Sequence, residues 1–138
     1  MKLNPDLIRS ILITVEEETG LNQSFWYNSY APESKKWEDF KYLEGYNYEE
    51  VVYHLQQCND AGYFSPRTIS SNRSLTIWPW GFMVADLSPR GHEFVNNIRE
   101  DMNWGTVKSN LSKIGSFALS MIENVAASVI SNQINGRL

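Results

Sequence analysis

Residues 53–64 read YHLQQCNDAGYF, and residues 86–94 read DLSPRGHEF. The first stretch ends a helical pattern at Gly62, a residue type that readily adopts the left-handed conformation with which many helices end. An aromatic pair follows at once, as is typical of a strand. In the second stretch Ser88 followed by proline indicates a helix start. Together the two stretches predict a helix, an extended segment and a further helix.

Two helical patterns precede the second of these stretches. Asn4 and Pro5 form a helix start, and Gly20 marks the end of that helix. Its apolar face comprises Ile8, Ile11, Leu12 and Val15. Asn47 and Glu50 have the spacing of a capping box, which predicts that the second helix begins there.

Extended segments are expected on both sides of the second helix. Residues 37–44 favour a short strand, with a helical turn as the alternative. Residues 63–64 begin another strand, residues 65–74 are polar and rich in turn-forming residues, and residues 75–87 return as an apolar strand. This pattern predicts a β-hairpin with a long tip, and Pro79 predicts a bulge or an edge position.

The third predicted helix starts at Ser88, and a long fourth helix is expected over residues 104–133. Apolar residues recur there in steps of three and four, as in a heptad pattern. The positions of this stripe are Trp104, Val107, Leu111, Ile114, Ala118, Met121 and Val125. We expect residues 1–103 to form one domain and residues 104–138 to form an amphipathic helix that dimerises, with packing inside the monomer as the alternative. A membrane span is disfavoured by Glu123 within the apolar run.

Helix, strand, helix, hairpin and helix is the order of a winged helix. The predicted fold class is therefore α+β, a winged-helix-like domain with a β-hairpin wing and a long C-terminal helix. Several blocks of the chain also carry a specific resemblance, namely MKLNPDLIRSILITVEE, GYNYEEVVYHLQQCNDAGYF, LSPRGHEFVNNIREDMNW and SKIGSFALSMIENVAASVI. They resemble a family of small bacterial and phage proteins that carries a domain-of-unknown-function label, number 2513. The resemblance implies a winged-helix fold and an intracellular phage or prophage setting, and it implies no catalytic residues. Cys58 departs from the family pattern, which often has leucine there.

Composition limits the classes of function. The chain has twelve Lys and Arg residues and sixteen Asp and Glu residues, which give a net charge of −4. A free-standing DNA-binding domain is usually basic. One cysteine permits no internal disulfide, and the first ten residues show no signal-peptide pattern. These features predict a cytoplasmic protein.

The candidate DNA contacts lie on the second helix and the hairpin tip. Glutamine can read adenine in the major groove, and arginine in a wing can contact the minor groove or the backbone. The candidates are Tyr53, Gln56, Gln57, Arg67 and Arg73. Against this hypothesis, Glu49 and Asp60 share the helix face and would repel phosphate.

Other kinds of site are disfavoured. His54 and Cys58 are four residues apart, as metal ligands can be, but a zinc site needs four ligands and both positions fall on the core stripe. The basic cluster of Lys35, Lys36 and Lys41 is diluted by neighbouring acids. No nucleophile–base pattern or glycine-rich phosphate loop is present, so no enzyme, cofactor or metal is predicted.

Two hypotheses of function follow. The leading hypothesis is a phage or prophage regulator of transcription that binds double-stranded DNA as a homodimer, with no membrane association. The second is a protein-interaction module that binds a host or defence protein through an acidic, aromatic surface without contacting DNA. The net charge and the acidic second helix favour the second hypothesis, and the arginines of the hairpin favour the first.

Overall fold

The computed structural model describes residues 1–20, 25–27, 40–66, 82–115 and 118–136. These residues form five α-helices: α1 (Pro5–Glu18), α2 (Tyr48–Asp60), α3 (Pro89–Ile98), α4 (Asp101–Ile114) and α5 (Leu119–Gly136). A short 3₁₀ helix, Lys41–Leu43, precedes α2. Strands β1 (Phe25–Tyr27) and β2 (Phe82–Val84) pair antiparallel, with Phe25 opposite Val84.

The predicted helix starts are confirmed. The Asn4 side chain accepts hydrogen bonds from the backbone N–H groups of Asp6 and Leu7. Asn47 and Glu50 form both bonds of the capping box at the start of α2. Ser88 caps α3 by accepting from the N–H of Gly91. Each side chain satisfies a backbone donor that the first turn of a helix leaves without a partner.

The predicted fold class, an α+β winged helix with a β-hairpin wing, is wrong. The described part of the chain is a helical domain, and its extended pairing is limited to two three-residue strands that come from separate segments. Within the described residues, the expected hairpin is represented by one bridge, between Phe64 and Leu87. Its tip lies outside the described residues. The backbone N–H of Tyr63 bonds to Cys58 O, so this residue completes the end of α2 instead of extending a strand.

Two other structural predictions are also wrong. Residues 41–43 form the 3₁₀ helix in place of the favoured strand, while residues 37–39 lie outside the described residues. The single helix expected over residues 104–133 is two helices. Gly115 ends α4 with φ +75°, and its N–H bonds to Leu111 O. The chain reverses at Gly115, and α5 packs on α3 and α4 of the same domain.

The hydrophobic core lies where α1 meets α2, α3 and α4, and α5 covers it. Seven residues of α1 are buried, and they include Leu7, Ile11 and Val15. From α5, Ile122 and Ala126 are fully buried. In the described residues, no helix is long and apolar enough to cross a membrane.

Candidate functional surfaces

The candidate DNA-contact residues of α2 share one helix face. Tyr53, Gln56 and Gln57 are half-buried, and the acidic residues Glu49 and Asp60 are exposed beside them. Positions three and four apart lie together on a helix, so this face combines amide groups with carboxylates. The sequence correctly placed these five residues on one face, but it overestimated how far the glutamines are exposed.

Gln56 is already engaged within α2. Its amide nitrogen donates to Asp60 Oδ1 at 2.7 Å. Its Oε1 atom is shielded from solvent and makes no hydrogen bond with the described part of the chain. A glutamine that reads adenine must present both its donor and its acceptor to the base edge. This orientation of Gln56 therefore does not suit base recognition.

The two arginines of the predicted hairpin tip, Arg67 and Arg73, lie outside the described residues, as do Lys35 and Lys36. Lys41 is described and exposed, and its ammonium group lies 5.1 Å from the centre of the Tyr42 ring. Of the predicted DNA contacts, only the three on α2 therefore fall within the described residues.

Four basic side chains of the described residues lie in ion pairs with carboxylates of the same chain. Arg9 pairs with Asp101 at 2.7 Å, Arg90 with Glu123 at 2.7 Å, Lys108 with Asp6 at 3.1 Å, and Arg99 with Glu16. Three of the pairs join two different helices, and the fourth joins Arg99, just after α3, to Glu16 of α1. A cation that already contacts a carboxylate gains less from binding phosphate, because the existing pair must be disrupted. These residues serve the fold first.

One of these pairs belongs to a polar cluster between α1 and α4. The indole N–H of Trp104 donates to Asp6 Oδ1 at 2.8 Å, and Lys108 contacts the same oxygen. Burial alone would raise the pKa of Asp6, but the bonds from Trp104 and Lys108 outweigh burial and lower the pKa below its ordinary value of 3.8. Asp6 therefore stays ionised and holds α4 against the first turn of α1.

Arg9 fixes the corner between α3 and α4. Its guanidinium donates to Ile98 O at 2.8 Å, to Arg99 O at 2.7 Å and to Asp101. The two carbonyls end α3, where the helix leaves acceptors without partners, and Asp101 begins α4. One side chain of α1 thus sets the angle at which the chain turns between these helices.

Replacing Arg9 with lysine is expected to lower the free energy of unfolding by about 1–2 kcal/mol. An ammonium group cannot reproduce the forked geometry that reaches two carbonyls and a carboxylate. The matched control is Arg99→Lys, because among the described residues the Arg99 guanidinium bonds to the Glu16 carboxylate alone, and this surface pair should cost about 0.5 kcal/mol or less. Urea denaturation measures both. Equal losses in the two variants would contradict this assignment of Arg9.

The residues SPRG of the second quoted stretch form a junction between α2, α3 and α5. Arg90 donates to both carboxylate oxygens of Glu123, at 2.9 and 2.7 Å, and to Ala61 O at 3.1 Å. The Tyr63 hydroxyl donates to Glu123 Oε1 at 2.8 Å. A Cβ atom on Gly91 would lie 2.1 Å from Tyr63 O, so only glycine allows this approach of the two backbones.

Hydrogen bonds and burial set the protonation states of Glu123 and Tyr63 at this junction. The bond from Arg90 lowers the pKa of Glu123 below 4.5, and burial raises the pKa of the Tyr63 hydroxyl. Glu123 was not predicted as a site residue. The sequence does contain a signal for it, an acidic residue inside the apolar run 114–130. Burying a carboxylate costs free energy unless it is paired with a cation or a hydrogen-bond donor.

The residues proposed for a dimer helix lie in different environments. Trp104, Val107 and Leu111 are in the core of the monomer. Met121 and Val125 are half-buried against that core, whereas Ile114 is 50% exposed and Ala118 is exposed. A dimer through the first three would require the α4–α5 pair to open. The dimer itself stays a prediction.

Residues His54 and Cys58 are buried on α2. Both ring nitrogens of His54 take part in hydrogen bonds to backbone groups, and burial raises the pKa of the Cys58 thiol. A thiol that holds its proton is a poor metal ligand. Within the described residues, no group of three or more histidine, cysteine or acidic side chains could hold a metal ion.

The described residues form a small helical domain in which the sequence motifs lie at contacts between helices. Comparison with known sequences identifies its family. The model of the family described as "Hypothetical protein (DUF2513)" matches residues 2–118, and the chain belongs to that family. A protein of Haemophilus influenzae, described as uncharacterized, is 28% identical over 135 residues, which cover 97% of this chain and 99% of the relative. No solved structure matches.

The family match ends at residue 118, at the start of α5. The similarity to the Haemophilus influenzae protein covers nearly all of both chains and so spans most or all of α5. Glu123 and Ile122 of α5 complete the junction and the core. The resemblance to family 2513 is therefore confirmed, and the structural unit of this chain extends beyond the matched segment.

Proposed function

We propose that this protein is a cytoplasmic protein-interaction module that binds a protein partner through the acidic face of α2. The observation that carries the proposal is the engagement of Arg9, Arg90, Arg99 and Lys108 in ion pairs with carboxylates of the same chain. A DNA-binding surface needs cations that are available to phosphate. The net charge of −4 also disfavours DNA binding.

The partner surface is expected to be basic. Glu49 and Asp60 are exposed on α2, and Glu44 is exposed just before it. Charged residues at the rim of an interface steer a partner of opposite sign and set the salt dependence of association. Half-buried Tyr53 on the same face supplies the aromatic contact area that protein interfaces favour. A phage or prophage setting, with a host protein as partner, is part of this proposal.

DNA binding remains the second candidate function, because one feature of the sequence supports it. The polar stretch of residues 65–74 contains Arg67 and Arg73, two cations close together in the sequence. If they contact phosphate, binding must weaken steeply as salt rises. This second candidate does not require α2 to enter the major groove.

A pair of measurements tests the proposal. Fluorescence anisotropy of labelled DNA from the gene's own neighbourhood, at about 20 mM and about 150 mM salt, should show no binding. Affinity purification from the native cells should return a specific partner, and Glu49→Lys with Asp60→Lys should reduce its recovery about tenfold or more. Glu93→Lys, an exposed change on α3, is the matched control and should keep the partner.

Two results would contradict the proposal. One is DNA binding that falls with salt and is lost in the Arg67→Ala, Arg73→Ala double variant, which would support the second candidate. The other is recovery of the partner by the α2 double variant at the level of the control, which would place the contact elsewhere.

A further inference from the structure

His54 connects the first turn of α1 to α2 through its ring. Its side chain is 1% exposed. The backbone N–H of Asn4, fifty positions earlier in the chain, donates to Nε2 at 2.8 Å. Nδ1 lies 2.7 Å from Glu50 O. Since a carbonyl oxygen can only accept, Nδ1 carries the proton and Nε2 is the acceptor, which is the neutral form of the ring.

A second proton on this ring would change the contact from attractive to repulsive. The imidazolium has a donor at both nitrogens, so Nε2–H would face the N–H of Asn4. The bond to Glu50 O would survive, because Nδ1 stays a donor. Protonation therefore acts on one specific link, the one between the N-cap residue of α1 and the middle of α2.

The groups around the ring have opposing effects on that proton. Burial disfavours the charged ring, and the Glu50 carbonyl and carboxylate favour it. Tyr53 lies edge-on, with ring centroids 5.2 Å apart. On the α1 side Asp6 follows Asn4 by two positions and is paired with Lys108, so its charge is largely compensated. Cys58, one turn further along α2, keeps its proton.

We propose that His54 is an acid-sensitive joint that holds the start of α1 to α2 while the ring is neutral and releases it when the ring is protonated. The basis is the geometry: a buried ring, a backbone donor at Nε2, and no second acceptor for that N–H among the described residues. Release would loosen the N-terminal turn of α1 and the side of α2 against it, where the capping box and the Asn4 cap lie.

The direction of the pH effect follows from the depressed pKa of His54. The ordinary value is 6.5, and burial lowers it in the folded protein. An unfolded chain then binds a proton before the folded one does. The stabilisation by His54 is therefore fully present above pH 6.5 and is lost as the pH falls from there through the folded pKa.

Nuclear magnetic resonance of the full chain provides the test. Only two histidines are present, so a His92→Gln variant assigns both ring signals. Between about pH 7.5 and about pH 5, the His54 ring should titrate below 6.5, and the Asn4 amide shift should move with it. The exchange protection of the Asn4 amide should fall roughly tenfold across the same transition, the factor that the loss of one hydrogen bond implies.

The His54→Gln variant separates the joint from general acid sensitivity. A glutamine oxygen can accept from Asn4 but does not titrate in this range, so the urea midpoint of this variant should lose its dependence on pH between about 7.5 and about 5. The His92→Gln variant, in which His54 is intact, is the reference for this comparison. If His54→Gln does not fold, the titration of the original protein still decides.

Either of two results overturns the joint. One is an Asn4 amide whose shift and protection stay constant while the His54 ring titrates. The other is a His54→Gln variant whose urea midpoint falls with pH as steeply as that of the His92→Gln control.

Discussion

Replacing Gly91 with alanine is expected to destabilise the domain by about 3 kcal/mol or more. The added Cβ would lie 2.1 Å from Tyr63 O, closer than any real contact. That oxygen cannot simply move away, because it accepts the N–H of Ser88 at 2.8 Å. α3 must therefore shift as a whole, and the packing of Phe94 on the Tyr63 ring would be lost with it. Thermal or urea denaturation measures the effect.

Gly105→Ala is the matched control for this substitution. Gly105 also lies within a helix, but a Cβ there meets nothing within 4 Å. Alanine is the better helix former, so the control should raise the free energy of unfolding by about 0.5–1 kcal/mol. The same change thus has opposite signs at the two glycines. A Gly91→Ala variant as stable as Gly105→Ala would contradict the close packing of α3 against Tyr63.

Replacing Ile122 with alanine should cost about 3 kcal/mol. Ile122 is fully buried on α5, and its removal would leave a cavity under that helix. The expected loss tests whether α5 belongs to the core of the folded domain, although the family match stops before it. Urea denaturation at several protein concentrations is the measurement.

The control for Ile122 lies on the same helix. Ile134 is 57% exposed, so Ile134→Ala should change the free energy of unfolding by about 0.5 kcal/mol or less. A midpoint that does not vary with protein concentration is expected if α5 packs on its own chain. Equal, small effects of the two substitutions would show that α5 is not part of the folded core. A concentration-dependent midpoint would instead support the predicted homodimer.

The sequence predicted the helix starts well because their signals are local. Asn4, Asn47 and Ser88 each bond to backbone atoms within three residues, and so the pattern of neighbouring residues contains the whole interaction. The end of α2 at Gly62 was predicted for the same reason, and its φ is +84°.

The predictions were wrong where one local sequence pattern is compatible with two different structures. A heptad stripe predicts a buried face but does not say whether the helix continues. In the structure Gly115 is a left-handed helix end, and the stripe is divided between α4 and α5. Similarly, apolar residues near Phe40 suited a strand as well as the 3₁₀ turn that forms.

The candidate surface was predicted only in part, since partners distant in the sequence decide which charges are available. Arg90 and Arg99 could have served any basic surface. Only the fold brings Glu123 to Arg90 and Glu16 to Arg99, across 33 and 83 positions. The half-buried state of Gln56 likewise depends on neighbours that a helix pattern does not contain.

The corner that Arg9 fixes has a consequence for synthesis of the chain on the ribosome. The carbonyl of Ile98 follows Arg9 by 89 positions, and the indole of Trp104 follows Asp6 by 98. The first helix is made early and can pack on the 3₁₀ helix and α2 before the chain is complete, but its contacts with the end of α3 and with α4 must wait until Trp104 has emerged. Contacts of such sequence separation slow folding, because a long loop must close before they form. The corner that Arg9 fixes therefore forms late in translation, and the domain closes as one of its last steps.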